Sequence, residues 1–250
     1  MSHMATGVYI DGMNFFYGAL KGSPNKWCDL SLFSKLLVPK DDVVTIKYFT
    51  ARVKSRPGQE NAAALQATYL RALRLRGGIE IHEGRMVYRT RRKPVDDRAM
   101  DRGDGLWPPL LPNRLFRLMW TRSLRRRDSR GISLVSVLME EEKKSDVSLA
   151  VRLVEDCARG LIDKAVVVTN DSDLVEALHV ARSFGVVVGI VNPHRSVTSR
   201  HLSDAASFEI VLRRRALAKC RLPRVVVGAD GRQVTCPRGW DRGDTPGSQR

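Results

Sequence analysis

The sequence predicts an α/β protein with a mostly parallel β-sheet. Short β-branched runs alternate with segments of helical periodicity along most of the 250 residues. Each of these runs is short enough and apolar enough to be buried on both faces, as central parallel strands are. Hydrophobic residues make up 43% of the chain and charged residues 28%, which excludes a disordered chain and supplies one substantial core.

Six strands and four helices are predicted in order. The strands are residues 7–11, 43–50, 79–82, 132–139, 165–169 and 186–191. The helices are residues 31–37, 59–75, 146–159 and 172–183. Gly77 and Gly160 follow the second and third helices as stop signals. Residues 225–227 and 233–235 predict a hairpin about Asp230-Gly231.

The positive charge of the chain is confined to two segments. The formal net charge is +16, and residues 85–130 carry a surplus of 9 positive charges and residues 211–250 a surplus of 7. We therefore predict a core domain over 7–212 with a basic insertion at 90–131, followed by a basic C-terminal extension over 213–250. Residues 113–123 within the insertion predict a short helix. Residues 1–6 are predicted to be a disordered cloning scar, and the charge indicates a polyanionic partner.

Neither export nor membrane insertion is predicted. No apolar run approaches the roughly 18 residues that span a bilayer, and the start of the sequence lacks a signal-peptide pattern. We therefore expect a cytoplasmic protein. Cys28, Cys157, Cys220 and Cys236 show no Cys-x-x-Cys spacing and do not cluster with histidine, which argues against a zinc site or a disulfide framework.

Four aspartates are placed where the predicted strands end. Asp11 closes the first strand, Asp171 and Asp173 follow the fifth, and Asp146 opens the helix after the fourth. In open parallel sheets ligands bind outside the carboxyl ends of the strands, so these side chains are expected to converge. Taken alone, Asp146, Asp171 and Asp173 are more often helix N-caps than ligands, and Asp11-Gly12 alone is compatible with a turn.

Together, such carboxylates repel one another unless cations neutralise them. Mg²⁺ or Mn²⁺ suits oxygen ligands of this kind and activates water for attack on a phosphodiester. The sequence thus favours metal-dependent phosphodiester hydrolysis, with the basic segments attracting the substrate backbone.

Three motifs in this order resemble the NYN domain family, the PIN-like group of predicted metal-dependent ribonucleases. They are Asp11-Gly-Met-Asn14, Glu142-Lys-Lys-Ser-Asp146 and Thr169-Asn-Asp-Ser-Asp-Leu174, followed by a strand at 185–191. The resemblance covers residues 7–212 but does not account for the basic insertion.

The resemblance implies a PIN-like three-layer α/β/α fold and a metal site. The acids that carry over to this site are Asp11, Asp146, Asp171 and Asp173. Asn14 carries over as a polar residue that orients a carboxylate or phosphate, and Lys143 as a basic residue of the site. Two positions depart from the family pattern. Asn170 replaces a glycine but tolerates left-handed backbone angles, and Leu174 replaces a phenylalanine and is expected to affect packing more than chemistry.

The leading hypothesis is therefore a Mg²⁺- or Mn²⁺-dependent endoribonuclease acting on single-stranded RNA. The alternative is a non-catalytic RNA-binding protein with a vestigial or structural metal site. A phosphatase of the haloacid-dehalogenase type is disfavoured because Met13 stands where its second aspartate is needed. No Gly-x-Gly-x-x-Gly or P-loop pattern is present.

Basic and aromatic residues of the two basic segments are candidates for RNA contacts. The phosphate-binding candidates are Arg91, Arg92, Lys93, Arg125, Arg126 and Arg127, with Arg213, Arg214 and Arg215 on a C-terminal helix. A solvated face explains such runs equally well. Trp107 and Trp120 either stack on bases or anchor the insertion. PIN-like domains often dimerise, so the resemblance leaves a homodimer open.

Overall fold

The computed structural model describes residues 4–55, 59–94, 126–127 and 133–240, in two units. The first unit comprises the described residues of Met1–Met86 and Glu142–Arg250, and the second those of Val87–Glu141. The strands are β1 Ala5–Asp11, β2 Asp42–Arg52, β3 Glu80–Pro94, β4 Arg126–Arg127, β5 Ser133–Lys143, β6 Lys164–Val168, β7 Val187–Asn192, β8 Phe208–Val211, β9 Val225–Val227 and β10 Gln233–Thr235. The α-helices are α1 Gly12–Phe15, α2 Leu30–Leu37, α3 Ala62–Arg76, α4 Ser145–Ala158, α5 Val175–Ser183, α6 Arg200–Ala205 and α7 Arg214–Leu217.

The first unit is built on a six-stranded parallel sheet in the order β3-β2-β1-β6-β7-β8. The chain leaves β1 towards one edge and later leaves β6 towards the other. The pair β1 and β6 is thus the topological switch point, where open α/β sheets form a crevice at the carboxyl ends of the strands. The predicted α/β class with a mostly parallel sheet is confirmed.

Helices cover both faces of this sheet, so the three-layer arrangement is confirmed as well. Val8 and Ile10 of β1 face a core that includes side chains of α2 and α3. Tyr9 faces the opposite core, which includes Leu149 and Leu153 of α4 and residues of α5 and α6. Because alternate residues of a strand point to opposite faces, Asp11 lies on the same face as Tyr9, below the start of α4.

The basic segment after residue 213 contributes apolar side chains to the first core. Leu217, Leu222 and Val226 are buried there, and the indole Nε1 of Trp27 donates a hydrogen bond to the carbonyl oxygen of Pro223 (2.8 Å). Strands β9 and β10 form the expected antiparallel pair. Residues 213–240 are therefore basic at the surface and integrated with the core inside.

Some elements differ from the sequence predictions. Strand β5, the predicted fourth strand, pairs antiparallel with β4, and β3 extends to Pro94. The predicted helix at 172–183 begins as a 3₁₀ turn over Ser172–Leu174, and a π-helical turn at Phe16–Leu20 follows α1. Strand β8 and helix α6 have four and six residues, too short for a periodic pattern. The helix predicted at 113–123 lies outside the described residues.

No helix in the described ranges combines the length and apolar character needed to cross a bilayer. Cys28, Cys157, Cys220 and Cys236 are all buried, and none of them forms a disulfide within the described residues.

Gly12 lies where the first turn after β1 crosses the end of β2. A Cβ atom at this position would be 2.6 Å from the carbonyl oxygen of Phe49 and 2.7 Å from the ring of Tyr48. We expect Gly12→Ala to lower the free energy of unfolding by about 1–3 kcal/mol, because the backbone oxygen cannot move aside. Urea denaturation measures this. Helix propensity alone predicts that the free energy of unfolding rises by about 1 kcal/mol. Such a rise would contradict the clash of the added Cβ atom with Phe49 and Tyr48.

Candidate metal centre

Asp11 is fixed at the carboxyl end of β1 by three hydrogen bonds. Its carboxylate accepts from the backbone N–H of Asn14 (3.0 Å), from the Asn14 side-chain amide (2.6 Å) and from the hydroxyl of Thr169 (3.0 Å). Only 3% of Asp11 is exposed. Burial raises the pKa of Asp11, and the charge of Asp171 adds to that rise, although the three hydrogen bonds oppose it. Asp11 thus caps α1 at the carboxyl end of β1.

The turn after β6 brings two more carboxylates to the same place. The buried hydroxyl of Thr169 accepts from the backbone N–H of Asp171 (3.1 Å) while donating to Asp11, so one side chain ties together the ends of β1 and β6. The Asp171 carboxylate accepts from the backbone N–H of Asp173 (3.0 Å) and caps the 3₁₀ turn. Asp171 is half-buried and Asp173 is exposed.

Asp146 approaches this group from the first turn of α4. Burial, followed by the charges of Asp11, Asp171 and Asp173, raises the pKa of Asp146 to about 6. The structure therefore places the four predicted aspartates within electrostatic reach of one another. Within the described residues, none of the four forms an ion pair with lysine or arginine. The site is a concentration of negative charge that the described protein does not neutralise.

The donor set fits a hard divalent cation. Carboxylate oxygens are the ligands that Mg²⁺ and Mn²⁺ prefer, and Mg²⁺ keeps several waters and needs only one or two protein carboxylates. The buried Ser145 hydroxyl, next to Asp146 in the chain, has no hydrogen-bond partner among the described residues. In the part of the chain that is described, no three acidic, histidine or cysteine side chains form a ready-made cage. An ion bound partly through water suits this open arrangement.

A histidine that sequence reasoning did not select completes the rim of the site. His194 Nε2 lies 3.1 Å from the amide oxygen of Asn14, whose amide nitrogen donates to Asp11. The backbone N–H of His194 donates to the side chain of Asn192 at the end of β7 (2.8 Å). The side chain of Asn14 thus contacts Asp11 through its amide nitrogen and His194 through its amide oxygen. The only available signal was the position of His194 directly after a strand end.

Left-handed backbone next to the site occurs at a lysine and not at the expected asparagine. Lys144, immediately before α4, has a φ of 83° and is the only non-glycine residue with positive φ among those described. Asn170 therefore does not use the left-handed backbone that was expected of it. Its side-chain oxygen instead accepts from the backbone N–H of Ser199 (3.2 Å). Leu174 is buried in the second core, as its predicted packing role requires.

The remaining predicted nucleic-acid contacts are only partly described. The structure describes no side chain for Lys143, Arg91, Arg92, Lys93, Arg125, Arg126 or Arg127, and Trp107 and Trp120 lie outside the described residues. Arg213 and Arg215 are exposed, whereas Arg214 is half-buried.

The raised pKa of Asp146 predicts a specific pH dependence. An acid whose pKa is higher in the folded state than in the unfolded state destabilises the fold once it ionises. The free energy of unfolding of the metal-free protein should therefore fall as the pH rises from about 3.8 to about 6. We expect Asp146→Asn to raise the free energy of unfolding at pH 7 by about 1–2 kcal/mol, after allowance for solvent screening, with no difference below pH 3.8. Urea denaturation in EDTA across this pH range measures both.

Glu176 supplies the control, because it is an exposed acid in the first turn of α5. Glu176→Gln should cost a few tenths of a kcal/mol, as expected when a favourable helix-dipole interaction is removed. A similar loss for Asp146→Asn would show that Asp146 acts as a helix-terminal acid and not as a member of a repulsive cluster.

Comparison with known proteins identifies the family. The model of the NYN domain matches residues 117–212, a range that contains Asp146, Asp171 and Asp173. A curated relative, 6-hydroxy-3-succinoylpyridine 3-monooxygenase HspA of Pseudomonas putida, is 34% identical over 260 residues, which cover 95% of this chain and 75% of the relative. This chain belongs to the NYN domain family. Membership indicates a nuclease of the ribonuclease type, whereas the name of the relative describes a different enzyme.

Solved structures show only distant likeness to this NYN protein. A protein of unknown function from Vibrio parahaemolyticus has a TM-score of 0.44 and 15% identity, covering 84% of this chain and 94% of that one. A structure from work on Sir2 enzymes has a TM-score of 0.32 and 11% identity, covering 87% of this chain and 90% of the other.

Proposed function

We propose that this NYN protein is a metal-dependent endoribonuclease that hydrolyses phosphodiester bonds of single-stranded RNA. The observation that carries the proposal is the gathering of Asp11, Asp146, Asp171 and Asp173 at the switch point of the sheet, without a basic partner in the described chain. Such a cluster is costly unless it serves to hold a cation. Family membership and the charge of +16 both support a nucleic-acid substrate.

Each residue of the site has a distinct part in this function. Asp11, Asp146, Asp171 and Asp173 would hold the ion, and Asn14 with Thr169 keeps the Asp11 carboxylate oriented. A bound Mg²⁺ or Mn²⁺ would supply an activated water and stabilise negative charge on the phosphoryl group. Asp173 is the exposed member, so it lies nearest to solvent and to an incoming strand.

A single strand suits this site better than a duplex. The carboxylates lie at the switch point of the sheet, where open α/β sheets form a crevice, and Asp11 is almost fully buried. A flexible strand can bring one phosphate into a crevice, whereas a duplex presents its phosphates on a rigid surface.

Cleavage assays with purified protein test the proposal. Labelled single-stranded RNA and a hairpin of the same composition are incubated with Mg²⁺, with Mn²⁺ or with EDTA. We expect internal cuts in the single strand that require metal. Cleavage that persists in EDTA would contradict the proposal. Tight, salt-sensitive binding without turnover under any metal would favour the non-catalytic RNA-binding alternative.

The 34% identity to HspA supports a second candidate, a monooxygenase acting on 6-hydroxy-3-succinoylpyridine. Such a reaction consumes O₂ and two electrons, so the assay supplies this compound, O₂ and a reduced nicotinamide or flavin. Hydroxylated product and matching consumption of the reductant would favour this candidate. Against it, the donor set around Asp11 consists of oxygen atoms, which suit Mg²⁺ and Mn²⁺ better than a redox-active ion.

A further inference from the structure

A groove of about 760 Å³ lies at the carboxyl ends of β7 and β8. Two hydrogen bonds join its wall to the aspartate site. One is the contact between His194 and Asn14, and the other runs from the backbone N–H of Ser199, which lies between two groove residues, to the side chain of Asn170. The groove and the aspartate site therefore share a wall.

Two arginines without carboxylate partners line this groove. Arg195 lies on the loop after β7, and Arg214 begins α7. The guanidinium of Arg214 is held by a hydrogen bond to the carbonyl oxygen of Gly18. Burial lowers the pKa of Arg214, and the nearby charge of Arg195 lowers it further. Neither arginine forms an ion pair with any carboxylate of the described residues.

The acidic residues of the groove contact other residues of the groove wall and not Arg195 or Arg214. The carboxylate oxygen Oδ2 of Asp204 lies 3.7 Å from Nε of Arg200 on the same helix. The carboxylate of Glu209 accepts from the hydroxyl of Thr198 (3.1 Å) and from the hydroxyl of Ser203. Two like charges that are close together and lack a counter-ion favour a bound anion.

We propose that this groove binds a phosphate group of the RNA strand next to the bond that is cleaved, with Arg195 and Arg214 as its contacts. The inference rests on the proposed ribonuclease function and names a second position at which the strand is held. The guanidinium fork matches a phosphate group in shape and charge. A strand that enters a site of four aspartates needs compensating positive charge nearby, and this groove supplies it.

Binding of an eight-residue oligouridine measured by fluorescence anisotropy tests the inference. All variants carry Asp171→Asn, which prevents cleavage, and binding is measured in Mg²⁺ at several salt concentrations. We expect Arg195→Gln with Arg214→Gln to weaken binding at least about 10-fold at 50 mM salt. The slope of log affinity against log salt should fall by about 0.7, because neutralising one phosphate of a single strand contributes roughly 0.7.

Arg213→Gln with Arg215→Gln is the matched control, because it removes the same two charges from neighbouring exposed positions. Its loss of affinity should stay below about 3-fold. Equal losses in the two double variants would overturn the proposal, since the charges would then act only at long range. Arg214 also donates a hydrogen bond to Gly18, so its replacement can disturb the local structure. The single variant Arg195→Gln is therefore measured as well, and an unchanged affinity for RNA in this variant would also overturn the proposal.

The same measurements separate this inference from the ribonuclease proposal. If the two double variants bind RNA alike while the protein with Asp171 intact cleaves RNA, the groove assignment fails and the ribonuclease stands. If binding depends on the two arginines but no metal supports cleavage, the groove stands and the ribonuclease fails. Binding of 6-hydroxy-3-succinoylpyridine that requires the two arginines, without RNA binding, would overturn both.

Discussion

Asp171→Asn is expected to reduce the rate of RNA cleavage at least about 100-fold while leaving the fold intact. A metal ion that stabilises charge on the reacting phosphoryl group contributes several kcal/mol, and 1.36 kcal/mol corresponds to a factor of ten. The asparagine oxygen can still accept from the backbone N–H of Asp173, so the cap of the 3₁₀ turn is kept. The change therefore removes a charge and retains the local structure.

Initial rates and melting temperatures measured together check this expectation. Ser172→Ala is the matched control, because Ser172 is an exposed neighbour within the same turn. It should change the cleavage rate less than about twofold. If Asp171→Asn retained full activity with bound metal, Asp171 would be a capping residue alone.

Lys47→Met is expected to lower the free energy of unfolding by about 3 kcal/mol. The ammonium group of Lys47 donates to one carboxylate oxygen of Asp156 (2.8 Å), and the hydroxyl of Tyr9 donates to the other (2.6 Å). All three residues are buried. Removing the lysine leaves the Asp156 charge buried with only the Tyr9 hydroxyl as a close partner. This network ties α4 to β1 and β2 and so fixes the helix that carries Asp146.

Combining Lys47→Met with Asp156→Asn should restore at least half of the loss, because the asparagine is neutral and can still accept from Tyr9. The exposed pair of Arg152 and Glu155 on α4 provides the control, and Arg152→Met should cost no more than about 1 kcal/mol. Urea denaturation of the four proteins gives the comparison. A loss below 1 kcal/mol for Lys47→Met would show that the buried pair contributes no more than a surface pair.

The acids of the site were predictable because local patterns mark strand ends. Asp11 and Asp171 each follow a β-branched run within a residue or two, and parallel strands end at one edge of a sheet. The hairpin about Asp230-Gly231 was predictable for a similar reason, since its turn chemistry is local. Asp146 could be placed at the start of the helix after the fourth predicted strand, and therefore at the same edge of the sheet as the other acids.

Features that depend on distant segments could not be predicted. The contact between Asn14 and His194 joins residues 180 positions apart, and neither position has a periodic pattern. The groove arginines illustrate the same limit. Arg213, Arg214 and Arg215 are equivalent in the sequence, and only the carbonyl of Gly18 and the start of α7 direct Arg214 towards Arg195. The pairing of β5 with β4 depends on tertiary context rather than on β-propensity.

The most direct test of the central claim is a crystal structure of the protein soaked in Mn²⁺, with the ion located by its anomalous scattering. We expect a Mn²⁺ ion bound at the carboxyl ends of β1 and β6. Carboxylate oxygens of Asp11, Asp146, Asp171 or Asp173 should lie within about 2.0–2.6 Å of the ion or accept hydrogen bonds from its bound waters. Saturating Mn²⁺ that leaves these four residues without an ion, or that binds only elsewhere, would contradict it.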